Sequence, residues 1–171
     1  MGGKSVSRRQ SRRKAFELLF ELELRDDLSP AQILERTFTQ ADVQELCSKD
    51  EDEDGYVTGP LNASAQLFIT ELVQAVTGHQ DVLDYELGKY PRDWSYDRIG
   101  VPERVLLRLA LAEMVFLGTS YKVVINEALD LAKMYAQEEA SRFINGILGA
   151  AVKNLDSLKA THAAQQESDP A

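Results

Sequence analysis

The sequence predicts an all-α protein, and three observations carry that prediction. Apolar residues recur at helical spacing at Ala65, Phe68, Ile69, Leu72, Val73 and Val76, and again at Ile144, Ile147, Leu148, Ala151, Val152 and Leu155. Helix punctuation stands where the pattern needs it: Ser29-Pro30-Ala31-Gln32 offers an N-cap, a proline in the first helical position and a capping-box glutamine, while Pro102 opens a second segment and Gly118 closes it. No stretch alternates strictly for long enough to argue for a sheet.

Taken in order, helices are expected at 7–26, from 30 through Ile33, Leu34 and Phe38, around 65–76, then at 81–89, 102–117, 121–136 and 140–158. The segment VPERVLLRLALAEMVFLG is apolar nearly all round apart from Glu103, Arg104, Arg108 and Glu113, which implies burial on several sides and a central position. Loops are expected at 47–61 and 91–101, with Trp94 of the second read as a plug over the helices. One domain over 1–158 is the simplest organisation, with a basic arm at 1–14, an acidic loop at 47–61 and a mobile polar tail at 159–171.

Composition sets outer bounds. A chain of 171 residues with 44% apolar and 27% charged residues is long enough to bury a core without disulfides or metals. The single cysteine, Cys47, has no internal disulfide partner. The chain lacks a run of eighteen apolar residues and a signal-like start, so it reads as cytoplasmic with no membrane partner.

Charge is segregated. In a chain of net charge -9, Lys4, Arg8, Arg9, Arg12, Arg13 and Lys14 fall within the first fourteen residues with no acid among them. On a helix, Arg8 with Arg12 and Arg9 with Arg13 are like-charged neighbours one turn apart. They also sit at the N-terminal turns, where the macrodipole disfavours cations by roughly 0.3–1 kcal/mol each. Such a block calls for compensation from outside the helix. Phosphate provides it, because a guanidinium grips phosphate with two donors and each neutralised phosphate releases counterions. The acidic remainder of the chain disfavours loose coating of duplex DNA, so a confined RNA site is the expectation; an exposed solvated terminus is the plainer alternative.

A second constellation stands in EEASRFINGILG. Ser141 offers an N-cap for a helix whose first turns display Arg142, Phe143 and Asn145. Ile144 and Ile147 belong to the core stripe and Phe143 lies off it. An aromatic ring beside an Arg and an Asn suits unstacked bases of single-stranded RNA, although packing on a neighbouring helix would also account for the ring. Gly146 and Gly149 inside this helix suggest a close backbone approach to another element.

Other chemistry finds little support. His79 and His162 are the only histidines and neither has a nucleophile motif beside it, so no catalytic residue and no cofactor is expected. In the acidic loop Asp50, Asp52, Asp54 and Gly55 fit the opening of a calcium loop, but Leu61 stands where a bidentate Glu is required, so no tight metal site is expected.

Together RRQSRRKAFELLFELEL, PERVLLRLALAE, YKVVINEALDLAKMY and SRFINGILG, in this order over about 7–155, resemble the NusB family of transcription antitermination factors. The resemblance implies a NusB-like fold of six to seven helices in two packed three-helix sub-bundles and no enzymatic activity. It implies binding of boxA-type single-stranded RNA of ribosomal RNA transcripts together with the small-subunit ribosomal protein NusE, within the antitermination complex of RNA polymerase. By position it implies RNA contacts from Arg8, Arg9, Arg12, Phe20, Tyr121, Lys122 and Phe143, on one surface shared with Arg13, Arg142 and Asn145 of the two constellations read above, and partner contacts from Glu103, Arg104 and Arg108. A homodimer is a further partner compatible with the resemblance. The competing expectation is a helical protein-protein interaction module without RNA binding.

Overall fold

The structure, a computed structural model, describes residues 6–39, 61–90 and 98–168, and every long element among them is a helix. Two compact units divide the chain, Met1–Thr77 and Gly78–Ala171. The described residues form eight α-helices, three in the first unit and five in the second, rather than six or seven in equal halves.

In the first unit α1 spans Arg8–Leu24, α2 spans Pro30–Thr39 and α3 spans Ala63–Gly78. Ser7 starts α1 through a capping box: its Oγ accepts from the Gln10 amide at 3.1 Å, and the Gln10 side chain accepts from the Ser7 amide at 2.9 Å. Ser29 and Gln32 repeat this reciprocal pair at the start of α2, and Asn62 Oδ1 accepts from the Ala65 amide at 2.8 Å at the start of α3. The apolar stripe of α3 is buried as its spacing predicts, with Ala65, Phe68, Ile69, Leu72, Val73 and Val76 inside. Phe16 and Leu19 of α1 and Ile33 and Leu34 of α2 complete the unit's core. Glu21 ties α1 to α2, accepting from Arg36 at 2.6 Å. The Arg36 hydrogen bond holds the Glu21 carboxyl below its ordinary range, against the opposing pull of burial.

The second unit holds α4 (Gln80–Leu87), α5 (Val101–Ala112), α6 (Tyr121–Tyr135), α7 (Ala140–Val152) and α8 (Leu155–Ser168). The central rod is α5, continued without a break by a π-helical turn at Glu113–Leu117. Ten consecutive residues, Val105–Met114, are buried, Arg108 and Glu113 among them. Gly118 stops the rod in the left-handed region at φ 72, ψ 17, where a side chain would bring backbone strain. Inside the unit the charge of Arg108 is met by Asp84 of α4 in a two-pronged pair, with both N···O distances 2.7 Å.

Three local expectations change. The helix expected over 140–158 breaks at Lys153 and Asn154, whose amides bond to the carbonyls of Ala150 and Ala151, and the Asn154 side chain donates to the Tyr90 hydroxyl at 2.9 Å. The segment after 158, expected to be aperiodic, is helical through Ser168. Ser141 is inside α7 and not its cap, since the helix begins at Ala140. Trp94, Cys47 and the acidic stretch from Asp50 to Gly55 lie outside the described residues.

Removing one member of the buried pair tests this frame. Asp84→Ala leaves the Arg108 charge without its carboxylate. It should lower unfolding free energy by roughly 2–4 kcal/mol, less than for a wholly buried pair because Asp84 is 30% exposed. Chemical denaturation measures it, and Asp84→Ala combined with Arg108→Met should recover part of the loss.

Candidate nucleic-acid interface

The arginine block does not present five equal cations. Arg8 and Arg9 are exposed, whereas Arg12 is only 8% exposed. The guanidinium carbons of Arg8 and Arg12 lie 4.1 and 5.4 Å from the ring centroid of Phe68 on α3. Arg13 and Lys14 both lean toward Glu17, at 3.5 and 3.9 Å. The compensation demanded by the helix dipole and by like-charge crowding is thus partly internal: an aromatic face below and a carboxylate one turn on. Arg8 and Arg9 remain at the surface. Phe20 is half-buried and packs on Phe16 at 6.0 Å between ring centroids.

In the second unit Phe143 forms one wall of a cavity of about 500 Å³ with Ile99, Glu103, Gln137, Glu139 and Arg142. Its ring is half-buried, less open than the sequence suggests, while Arg142 and Asn145 are exposed. The amide end of α5 and the start of α7 therefore frame a concave site with an aromatic wall, one guanidinium and two carboxylates. Tyr121 and Lys122 open α6 and are also exposed. The short connection at 136–139 folds α7 back along α6, so Phe143, in the first turn of α7, lies level with the last turn of α6, about 16 Å along the helix from Tyr121.

The charged residues of the α5 rod also separate. Glu103 and Arg104 are half-buried in its first turns, and Glu103 lines the cavity. Arg108 does not face outward: its side chain is 5% exposed and committed to Asp84, so its place is structural. Gly146 and Gly149 are exposed, and a Cβ at either would meet nothing within 4 Å, so no close backbone approach explains them. Sequence reasoning missed Phe68 and Asp84 as the groups that hold arginines. Phe68 was visible only as a member of a core stripe, and no spacing rule links Asp84 to Arg108, 24 residues on.

Among the described residues no group of three or more His, Cys, Asp or Glu is arranged to hold a metal ion, and no helix is long and apolar enough to cross a membrane. What is assembled is a helical protein with surface arginines on its first helix and an aromatic-walled cavity in its second unit. Comparison with known proteins resolves this class to a family: the chain belongs to the NusB family, whose pattern matches residues 9–153. A transcription antitermination protein NusB of Staphylococcus haemolyticus is 34% identical over 143 residues, covering 84% of this chain and 97% of that protein. One of Heliobacterium modesticaldum is 30% identical over 167 residues, covering 97% of this chain and 72% of its own length. Among solved structures, T. maritima NusB superposes with a TM-score of 0.70 at 29% identity, covering 87% of this chain and 92% of that one. A complex of the antitermination factors NusB and NusE with double-stranded RNA aligns with a TM-score of 0.65 at 29% identity, covering 85% and 96%.

The ring under the arginines is testable. A double-mutant cycle of Phe68→Leu with Arg12→Ala, followed by denaturation, should return a coupling of about 0.5–2 kcal/mol, the range for a cation over an aromatic face. Additive losses would mean that Phe68 acts by apolar burial alone.

Proposed function

We propose that this chain is an antitermination factor that binds boxA-type single-stranded RNA of ribosomal RNA transcripts, together with the ribosomal protein NusE, and promotes read-through by RNA polymerase. It acts in the cytoplasm as a scaffold and makes no covalent bond to its partners. The observation that carries the reading is the pair of surface guanidiniums at Arg8 and Arg9, set beside Arg12 and Arg13, in a member of the NusB family. The solved relative that holds NusE and RNA at once supports both classes of partner.

Arg8 and Arg9 would neutralise phosphates, with Arg12, Arg13 and Phe20 supporting them from the same helix. Arg142, Phe143 and Asn145 would receive an unstacked base at the cavity, where a ring face tolerates any base and the neighbouring polar groups discriminate. Tyr121 and Lys122, further along the hairpin of α6 and α7, would meet a different nucleotide of the same strand. Glu103 and Arg104 are the proposed NusE contacts, and Arg108 has no part in them.

Binding of a short boxA-like RNA, followed by fluorescence anisotropy, should weaken steeply as salt rises. Arg9→Ala should flatten the slope of log K against log salt by about 0.7, the single-strand value for one phosphate contact. Phe143→Leu should weaken binding by roughly 1–3 kcal/mol with the salt slope unchanged, because stacking releases no counterions. Affinity nearly independent of salt would overturn the proposal in favour of a protein-binding module.

A further inference from the structure

Arg8 is fixed at both ends. It is the first residue of α1, where the Ser7–Gln10 capping box secures the backbone through hydrogen bonds of 3.1 and 2.9 Å. At the other end its guanidinium carbon stands 4.1 Å from the ring centroid of Phe68 on α3. Arg12, one turn further along α1 and nearly covered, stands 5.4 Å from the same centroid. One ring therefore attracts both members of a like-charged pair and offsets part of their repulsion.

The group that holds Arg8 differs in kind from the one beside its neighbours. Arg13 and Lys14 lean toward the Glu17 carboxylate, at 3.5 and 3.9 Å. A carboxylate neutralises the cation it holds, engages its N–H donors, and has to be displaced by any incoming anion. A ring attracts a cation through its quadrupole and carries no formal charge, so it steadies the guanidinium and leaves the positive charge whole. Arg8 is exposed while so held, and its charge faces solvent. Phe68 is 7% exposed, too covered to receive a base itself, so whatever it does for a ligand it does through Arg8.

We propose that Phe68 is a positioning residue of the RNA interface, whose ring sets the Arg8 guanidinium in place before the strand arrives. The inference rests on the RNA reading above and extends that interface to a buried residue of α3. An arginine that samples many rotamers loses that freedom when it grips a phosphate, and one already stacked has lost part of it in the folded chain. The ring thus lowers the cost of the phosphate contact without touching the phosphate.

Anisotropy titrations of the full chain with the same boxA-like RNA test this. Phe68→Leu and Phe68→Met keep an apolar side chain in the core and remove the ring. Each should weaken binding about two- to fivefold, the worth of a cation over a ring at an exposed site. The slope of log K against log salt should keep its parent value in both, because Arg8 retains its charge and still reaches the phosphate, whereas Arg8→Ala should flatten it by about 0.7. Phe68→Tyr restores a ring and should restore the affinity. In an Arg8→Ala background Phe68→Leu should change affinity by less than about twofold, while a general loosening of the fold would weaken both backgrounds alike. In the free protein the Arg8 Nε–Hε resonance should carry a ring-current shift that Phe68→Leu abolishes. Parent affinity in both ringless variants, an equal loss with and without Arg8, or a missing ring-current shift would each overturn the positioning role and leave the RNA reading standing. Parent binding that ignores salt would overturn the RNA reading and this inference with it.

Discussion

A helix with no solvent face constrains everything packed around it. From Val105 to Met114 the rod of α5 and its π-helical continuation is buried without a gap, so its surface must be covered on every side. Helices α4, α6 and α7 all pack on α5, and α8 packs on the π-helical turn. The two charged residues trapped in this stretch, Arg108 and Glu113, then cannot rely on water. An ion in that position needs a partner of opposite sign with good geometry, which for Arg108 is Asp84. The pair gives α4 and α5 a fixed register that apolar contacts alone would specify less sharply.

The π-helical turn carries that constraint to the periphery. A π-turn takes one residue more than an α-turn between bonded groups, so it shifts the register of whatever follows. Here the shift comes just before Gly118, whose positive φ ends the rod. Within the turn Phe116 is half-buried, where His79 and His162 gather around it. The rod thereby finishes in an aromatic surface with two imidazoles beside it.

Much of this was legible in the sequence because helix faces and helix ends are local properties. The stripe at 65–76 is buried residue for residue, the Ser29–Gln32 box closes with both hydrogen bonds, and Gly118 has the conformation its place after an apolar run predicts. The arginines at the amino end and the ring at 143 were legible as candidates for the same reason. What was not legible is which side chain answers which charge. Arg108 was read as a partner contact from the family resemblance, yet it is buried against a carboxylate from another helix. Tyr121 and Phe143 were read as neighbours from the family resemblance, but the hairpin of α6 and α7 sets them about 16 Å apart along the helix. The break at Asn154 is a tertiary choice too, with its amide taken by Tyr90.

The fate of the arginine block shows how an unfavourable local feature becomes a usable one. Left in water, crowded guanidiniums at a helix N-terminus repel one another and the dipole, and each long side chain samples many rotamers. Phe68 changes the balance at two of them. With Arg12 nearly covered and Arg8 held 4.1 Å above the same ring, part of the rotamer entropy is already lost in the folded chain. A ring attracts the cation without using up its N–H donors, which a guanidinium can offer to a phosphate in pairs. A ligand that meets Arg8 in this state has less ordering left to oppose it, so the packing that stabilises α1 against α3 also raises the affinity available to an anion at its surface.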